Sequence, residues 1–342
     1  MNFFSNMIKI DVKKGMGIVG LTDEFFCVYL YNLFVQKKKS ILVVVNSLFE
    51  ANSIYSALAN YTDDVRLFPM DDFLTSEAIA ISPDLKINRL DTFNDIVSSK
   101  PMIVICNLMG YLRFLPSKDT YNNYLLNIKV GDSITPSSLV EKLISASYTR
   151  TTLVTKTGEI GVRGFVIDVF PISEENPVRI EFFGDEIDSI RYFDADSQKS
   201  LKSIDNIVIR PYSEFLTNSA VNDEEFGKQK YLPKYERVVS IANYFNDGFI
   251  VFKDYSQLLV NYNNILNETL EYRSEQDSTF KGNYMFAFDD ISVNYPIYYM
   301  TINNIVNDGM KITNFNSRTI GNFSENADQI NKFIRECLNE KK

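Results

Sequence analysis

Histidine occurs nowhere in the 342-residue sequence. Its absence removes Ser–His and Cys–His nucleophilic catalysis, histidine metal sites and imidazole acid–base chemistry together. Cysteine is scarce: Cys27, Cys106 and Cys337 lie far apart in apolar or helical contexts and form no metal-type pair. An odd number so dispersed suits a reducing compartment. No basic segment followed by an apolar stretch opens the chain, and no apolar run is long enough to span a membrane. The expectation is a soluble cytoplasmic protein with no membrane partner. Positive charge is also short, with 35 Lys+Arg against 44 Asp+Glu and a net charge of −9. Tight nonspecific binding to nucleic acid needs clustered cations that displace counterions. The average charge therefore argues against DNA as the main partner while leaving room for a local patch. The one lysine run, Lys37–Lys39, stands just before an apolar strand and reads as a solvated helix end.

What is present is a globular composition, 45% hydrophobic and 23% charged. The first stretch alternates apolar runs with helical patterns. Ile41–Val45 and Met102–Cys106 are continuous and β-branched, as in parallel strands buried on both faces. Between them, Ser47–Tyr61 and Asp84–Val97 read as helices. The second offers an apolar face of Ile87, Leu90, Phe93 and Val97, with Leu85, Asn88, Arg89 and Thr92 on another. From about Tyr121 the character changes to a helix, Thr135–Ala146, with Leu139, Leu143 and Ile144 inward, and then short strands with tight turns. After Pro211-Tyr212 the α/β character returns, with a strand at Phe249–Phe252, a helix at Tyr255–Tyr272 and a strand at Ile297–Ile302. A final helix near Glu325–Asn339 carries Ile330, Phe333, Ile334 and Cys337 on one face, with Ser324 as its cap. Neither outer part has enough buried strands to close a sheet alone. The expectation is one α/β domain with a parallel sheet, split into 1–120 and 212–342 by a small α+β domain inserted at 121–211.

The stretch 163–194, RGFVIDVFPISEENPVRIEFFGDEIDSIRYFD, predicts three consecutive strands: Phe165–Phe170, Val178–Phe183 and Ile187–Phe193. A loop bounded by Pro171 and Pro177 and a tight Gly184-Asp185 turn join them. Alternation sends Val178, Ile180 and Phe182 to one face and Arg179, Glu181 and Phe183 to the other. An aromatic ring beside arginine on the face away from the core is what a protein-binding patch needs. The competing reading pairs the arginines with Glu181 or Asp185 and leaves Phe183 capping a sheet edge. Elsewhere the candidates are weaker. At Gly17–Glu24 (GIVGLTDE), a phosphate loop would need a lysine and a Ser/Thr after its glycines. Gly17, Gly20 and Thr22 are followed instead by Asp23 and Glu24, whose carboxylates would repel phosphate. The segment reads as a strand–turn–helix junction that holds no nucleotide. Asp63-Asp64, Asp71-Asp72 and Asp289-Asp290 are adjacent pairs in loops with no partner base or metal-ligand spacing. The 20 Tyr and 26 Phe fall mostly in core-like runs, away from Lys and Arg. No cofactor is expected.

The segment from Gly161 to Leu201, with RGFVIDVFP, NPVRIEFFGDEIDSIRYFD and SQKSL, resembles the bacterial transcription-repair coupling factors (Mfd). Leu67–Ile96 is similar to the same family's strand exit and following helix, and Asn314–Ile334 to the end of its split first domain. The resemblance implies a split RecA-like domain lacking a working P-loop, with the insert acting as the module that recruits UvrA. On the family's pattern, the UvrA-contacting positions fall on Arg163, Arg179 and Phe183. Either Arg179→Ala or Phe183→Ala is then expected to weaken UvrA binding while leaving thermal melting nearly unchanged. The excision-repair helicase UvrB shares the scaffold but keeps a Walker A loop and a long tyrosine-rich hairpin that slips between DNA strands. The chain between Phe68 and Asn88 is too short for the hairpin. A UvrB-like nucleotide-hydrolysing damage-recognition protein is the alternative, and a DNA-binding damage sensor a third reading. Full-length family members also carry an RNA-polymerase-binding domain and two motor domains that act on DNA. None fits within 342 residues, so the chain is expected to be part of something longer and non-catalytic by itself.

Overall fold

The computed structural model describes residues 10–72, 82–98, 100–301, 310–317 and 327–339. Chain order begins with β1 (Met16–Val19), α1 (Asp23–Lys37), β2 (Ile41–Val45), α2 (Leu48–Ala59), β3 (Val65–Phe68), α3 (Pro83–Val97) and β4 (Ile103–Asn107). The first two helices start where the sequence supplies an oxygen for a free backbone N–H. Thr22 accepts from Phe25 N and Ser47 from Glu50 N. Along α1 the eight residues from Phe26 to Leu33 are all buried, so this helix is a core element and not an amphipathic surface one.

Near the middle the chain makes a second body. It comprises β5 (Leu126–Lys129), α4 (Pro136–Ser145), β6 (Thr149–Thr151), β7 (Glu159–Arg163), β8 (Val166–Val169), β9 (Val178–Phe183), β10 (Glu186–Phe193), β11 (Ser200–Ile204) and β12 (Asn206–Ile209). The chain then returns through β13 (Phe249–Lys253), α5 (Tyr255–Gln276), β14 (Pro296–Met300), β15 (Ile312–Asn314) and α6 (Ala327–Asn339).

Strands from both ends build one seven-stranded sheet in the order β15-β1-β14-β13-β2-β4-β3. Every pairing in it is parallel. The first strand lies between the last two, so neither half of the chain could complete this sheet alone, as its strand count implied. Alternate residues of β2 feed two cores. Ile41, Val43 and Val45 pack with α1 and α2, while Leu42 and Val44 pack with Phe93 of α3 and Leu258 of α5. A continuous β-branched run is what two covered faces require.

The middle body holds a six-stranded sheet, β11-β10-β9-β8-β7-β6, antiparallel except at β6–β7, and a separate β12-β5 pair. One face of the sheet closes over Leu139 and Leu143 of α4 in a core of its own. Ile144 is not part of it. It stands 46% exposed, because Leu139 and Leu143 share a helical stripe and the next residue has rotated about 100° away from it. On α6, Ile334 is exposed, and Ser324 and the side chains of Ile330 and Cys337 fall outside the described residues.

Polar contacts around α3 hold the chain where it leaves the middle body and also reach the middle body itself. Glu214 sits buried between two guanidinium groups, with Arg89 Nε donating to Oε1 at 2.8 Å and Arg113 Nε to Oε2 at 2.7 Å. Burial alone would raise that carboxyl, but the two cations outweigh it and hold it below its ordinary value. Arg89 and Thr92, expected on the polar side of α3, are therefore buried beside Leu90 and Phe93. Ser173 donates to Asp91 at 2.5 Å, and Lys86 lies 4.2 Å over the Tyr212 ring.

Candidate functional site

The uncovered face of the six-stranded sheet carries the sequence-predicted cluster. In β9 the expected alternation holds: Val178, Ile180 and Phe182 are buried, Arg179 and Glu181 are half-buried, and Phe183 is exposed. Pairing with β8 sets Arg179 directly opposite Asp168, and pairing with β10 sets it opposite Arg191. Arg179 Nε donates to Asp168 Oδ1 at 2.7 Å and Nη2 to Oδ2 at 2.8 Å, a bidentate pair with an almost buried carboxylate. Its guanidinium also lies 4.5 Å over the Phe193 ring. Two residues further on, Glu181 accepts from Arg191 Nη2 and, at 3.0 Å, from Ser189 Oγ. The bond from Arg191 comes first among the causes that lower the Glu181 pKa from 4.5 to about 2. The middle of this face is thus two ion pairs that neutralise one another.

The three expected contact residues part company here. Phe183 stands 83% exposed at the end of β9. Arg163, at the end of β7, is exposed, and its Nη2 donates to Thr152 O at 3.1 Å. A guanidinium has five N–H donors, so one such bond leaves most of the group available. Arg179 differs: its side chain is only 16% exposed and is committed to Asp168. The expectation that it projects as a free guanidinium is corrected by the register, which brings a carboxylate from β8 against it. Glu181 and Asp185, the partners weighed from the sequence, are not the ones that bind it. The expectation that its removal leaves melting unchanged falls with the free guanidinium.

Two tight turns frame the exposed end. Gly164-Phe165 joins β7 to β8 and Gly184-Asp185 joins β9 to β10. Gly164 has φ +60° and Gly184 φ +66°, the left-handed values that a two-residue hairpin turn asks of its first residue and that glycine adopts without strain. The turns are neighbours, because Phe182 N donates to Phe165 O at 2.9 Å. On the other side of β10, Ile134 N donates to Asp185 O at 2.8 Å and Ile187 N to Asp132 O at 3.0 Å. The tip is therefore pinned from both flanks. Phe165, which the sequence reading placed at the start of a strand, is a turn residue 61% exposed. An apolar residue directly after a glycine that follows a strand was the available signal.

At the β1–α1 junction, Gly20 has φ +73° and its carbonyl accepts from Ser317 N at 2.7 Å and Ser317 Oγ at 2.8 Å. Thr22 N donates to Ser317 Oγ at 2.9 Å. Residues 314–316 press on the turn so closely that a Cβ at Gly20 would stand 2.2 Å from Asn314 Oδ1 and 2.9 Å from Asn316 N. The Gly20 carbonyl and the Thr22 N–H of the turn are thus satisfied within the chain. Asp72, half of one of the adjacent acidic pairs, accepts from Leu48 N at 2.8 Å and Asn107 Nδ2 at 2.7 Å. Among the described residues no group of three or more acidic or cysteine side chains could hold a metal, and no helix is long and apolar enough to cross a membrane.

Comparison with known proteins bears on the insert first. Residues 126–215 match the UvrB interaction domain family. The chain is also 32% identical over 201 residues to the transcription-repair-coupling factor of Bacillus subtilis, covering 58% of this chain and 17% of that protein. It is 26% identical over 302 residues to the corresponding factor of Staphylococcus epidermidis, covering 85% of this chain and 26% of the relative. The chain spans about a quarter or less of the length of these curated relatives.

Proposed function

Because the chain carries a UvrB interaction domain and is a homologue of the bacterial transcription-repair coupling factors, we propose that it recruits the excision-repair protein UvrA through the tip of its inserted sheet. The reading divides the chain into a split RecA-like scaffold, 1–120 and 212–342, and a docking module, 121–211. That the core residues from Ile128 to Ile209 cluster together supports a module of its own. The observation that carries the proposal is Phe183, a large apolar ring left 83% exposed on a braced strand end within the matched segment. Rings and arginines held on stiff frames are the usual anchors of protein interfaces. Phe183 fills an apolar pocket of UvrA, Arg163 meets a carboxylate beside it, and Arg179 works from underneath by fixing β9 in place.

The scaffold acts without nucleotide in this reading. Ser317 occupies the Thr22 N–H that would otherwise face a phosphate, and Asp23 and Glu24 open α1 with negative charge. Binding of RNA polymerase and movement on DNA belong to parts of the relatives that this chain does not span.

Calorimetric titration with UvrA tests the docking proposal. Phe183→Ala is expected to weaken binding by about 30-fold, the loss of a typical anchor, with an unchanged melting temperature. Wild-type affinity in both Phe183→Ala and Arg163→Ala would refute it. Titration with Mg-ATP tests the second point, and saturable binding at the β1–α1 turn, lost on substitution of Thr22, would overturn it.

A further inference from the structure

The geometry points to Phe165 as a second anchor for the partner of Phe183, so that the UvrA surface which meets this tip is an apolar cleft wide enough for two rings. The inference rests on the proposed reading of the tip as the UvrA-binding surface. Phe165 and Phe183 are 61% and 83% exposed, and they belong to adjoining hairpin turns tied by the bond from Phe182 N to Phe165 O. Scattered exposed apolar residues are ordinary on a protein surface. Two exposed phenylalanines on neighbouring turns of one sheet end lie within reach of a single partner surface, and apolar groups so placed mark contact surfaces. Both tips are open to approach: nothing lies within 4 Å of where a Cβ would stand at Gly164 or Gly184. Behind them the sheet face is satisfied internally by the Asp168–Arg179 and Glu181–Arg191 pairs, so it offers a partner little unpaired charge. What the tip presents is two rings flanked by the exposed cation Arg163 and the exposed carboxylates of Asp185 and Glu186. A protein cleft with apolar walls, a carboxylate at one edge and a cation at the other complements that arrangement. A second copy of this chain suits it less, because two chains of net charge −9 repel one another.

Calorimetry with UvrA on the wild type, Phe165→Ala, Phe183→Ala and the double variant tests the inference. Each single substitution is expected to weaken binding about 10- to 30-fold, with melting unchanged, and Phe165→Leu is expected to recover most of the loss. If Phe183→Ala weakens binding while Phe165→Ala binds like wild type, the second anchor is refuted and the docking reading stands. If neither substitution matters, the docking reading itself fails. Sedimentation velocity without UvrA supplies the third arm: a dimer abolished by Phe165→Ala would assign the rings to self-association and overturn the inference.

Discussion

Arg179→Ala separates a contact residue from a residue that holds the contact surface. The substitution removes a guanidinium 16% exposed and leaves Asp168, 4% exposed at its side chain, with a charge and no cation beside it. Breaking a buried ion pair by deleting one member costs about 3–5 kcal/mol. Water reaches one side of this pair, which moves the figure to the lower end, while loss of the stacking on Phe193 adds about 0.5–1 kcal/mol. The expected destabilisation is about 3.5–4 kcal/mol. Urea unfolding followed by circular dichroism measures it directly. Asp168→Ala in the Arg179→Ala background should be less destabilising than in the wild type, because the double variant no longer buries a lone carboxylate. Arg179→Lys keeps the charge but not the two parallel bonds, and should fall between. Phe183→Ala provides the contrast, with a normal unfolding curve beside impaired UvrA binding. If Arg179→Ala unfolds within about 0.5 kcal/mol of wild type, the surface-substitution range, the account of Arg179 as a fixed support is wrong. Its role as a direct contact, expected from the family pattern, would then regain its place.

Three further outcomes follow from the same structure. Glu214→Gln removes the buried anion shared by Arg89 and Arg113, and is expected to cost about 3 kcal/mol or more of stability in urea unfolding. Gly20→Ala would force a Cβ against Asn314 and Asn316 at a left-handed φ, and about 2 kcal/mol or more should be lost. Glu181 has a folded-state pKa lowered from 4.5 to about 2, chiefly by its bond from Arg191. A lowered carboxyl contributes stability that is fully present above pH 4.5 and is lost as pH falls toward about 2. The stability difference between wild type and Glu181→Gln should therefore be constant above about pH 5 and shrink as the solution is acidified. A difference that grows toward low pH would contradict the assigned pairing.

Much of this architecture can be read from local pattern. Ile41–Val45 and Met102–Cys106 read as strands buried on both faces, because a covered parallel sheet is what accommodates such continuous apolar runs, and the second forms β4 one residue further on, at Ile103–Asn107. The alternation of Val178–Phe183 gave the inner and outer faces of β9 without knowledge of its neighbours. What escaped local pattern was pairing across distance. Asp168 reaches Arg179 only through the β8–β9 register, and the irregular loop between those strands leaves that register open in the sequence. Glu214 lies 125 residues from Arg89, and Ser317 lies 295 from Thr22. In each case the residue type was visible but its partner was a consequence of topology. Phe165 was missed for a different reason: the turn was taken to be part of the strand, and one residue of error at that point turns a core position into a solvent-facing one.

In the proposed docking, the charged middle and the apolar end of the face have separate tasks, and physical chemistry explains the division. A guanidinium already bound to a carboxylate in two places gains little by exchanging it for another, since the desolvation and the bonds nearly cancel. Arg179 and Arg191 are in that position, so they contribute little to affinity by direct contact. The rings have no such competitor. Phe183 and Phe165 lose water and gain packing when a pocket closes on them, and each aromatic side chain can bury about 150–250 Å². That gain is realised only if the rings do not first have to be ordered, and the cost of ordering is what the ion pairs and the flanking strand remove. The 131–134 segment holds the β9–β10 turn from one side and β8 holds it from the other, so Phe183 meets its partner already in place. Charge on this face therefore sets geometry, and apolar area sets affinity. Raising salt should accordingly change the affinity only slightly, because the exposed tip charges, Arg163 against Asp185 and Glu186, are of opposite sign and are screened together.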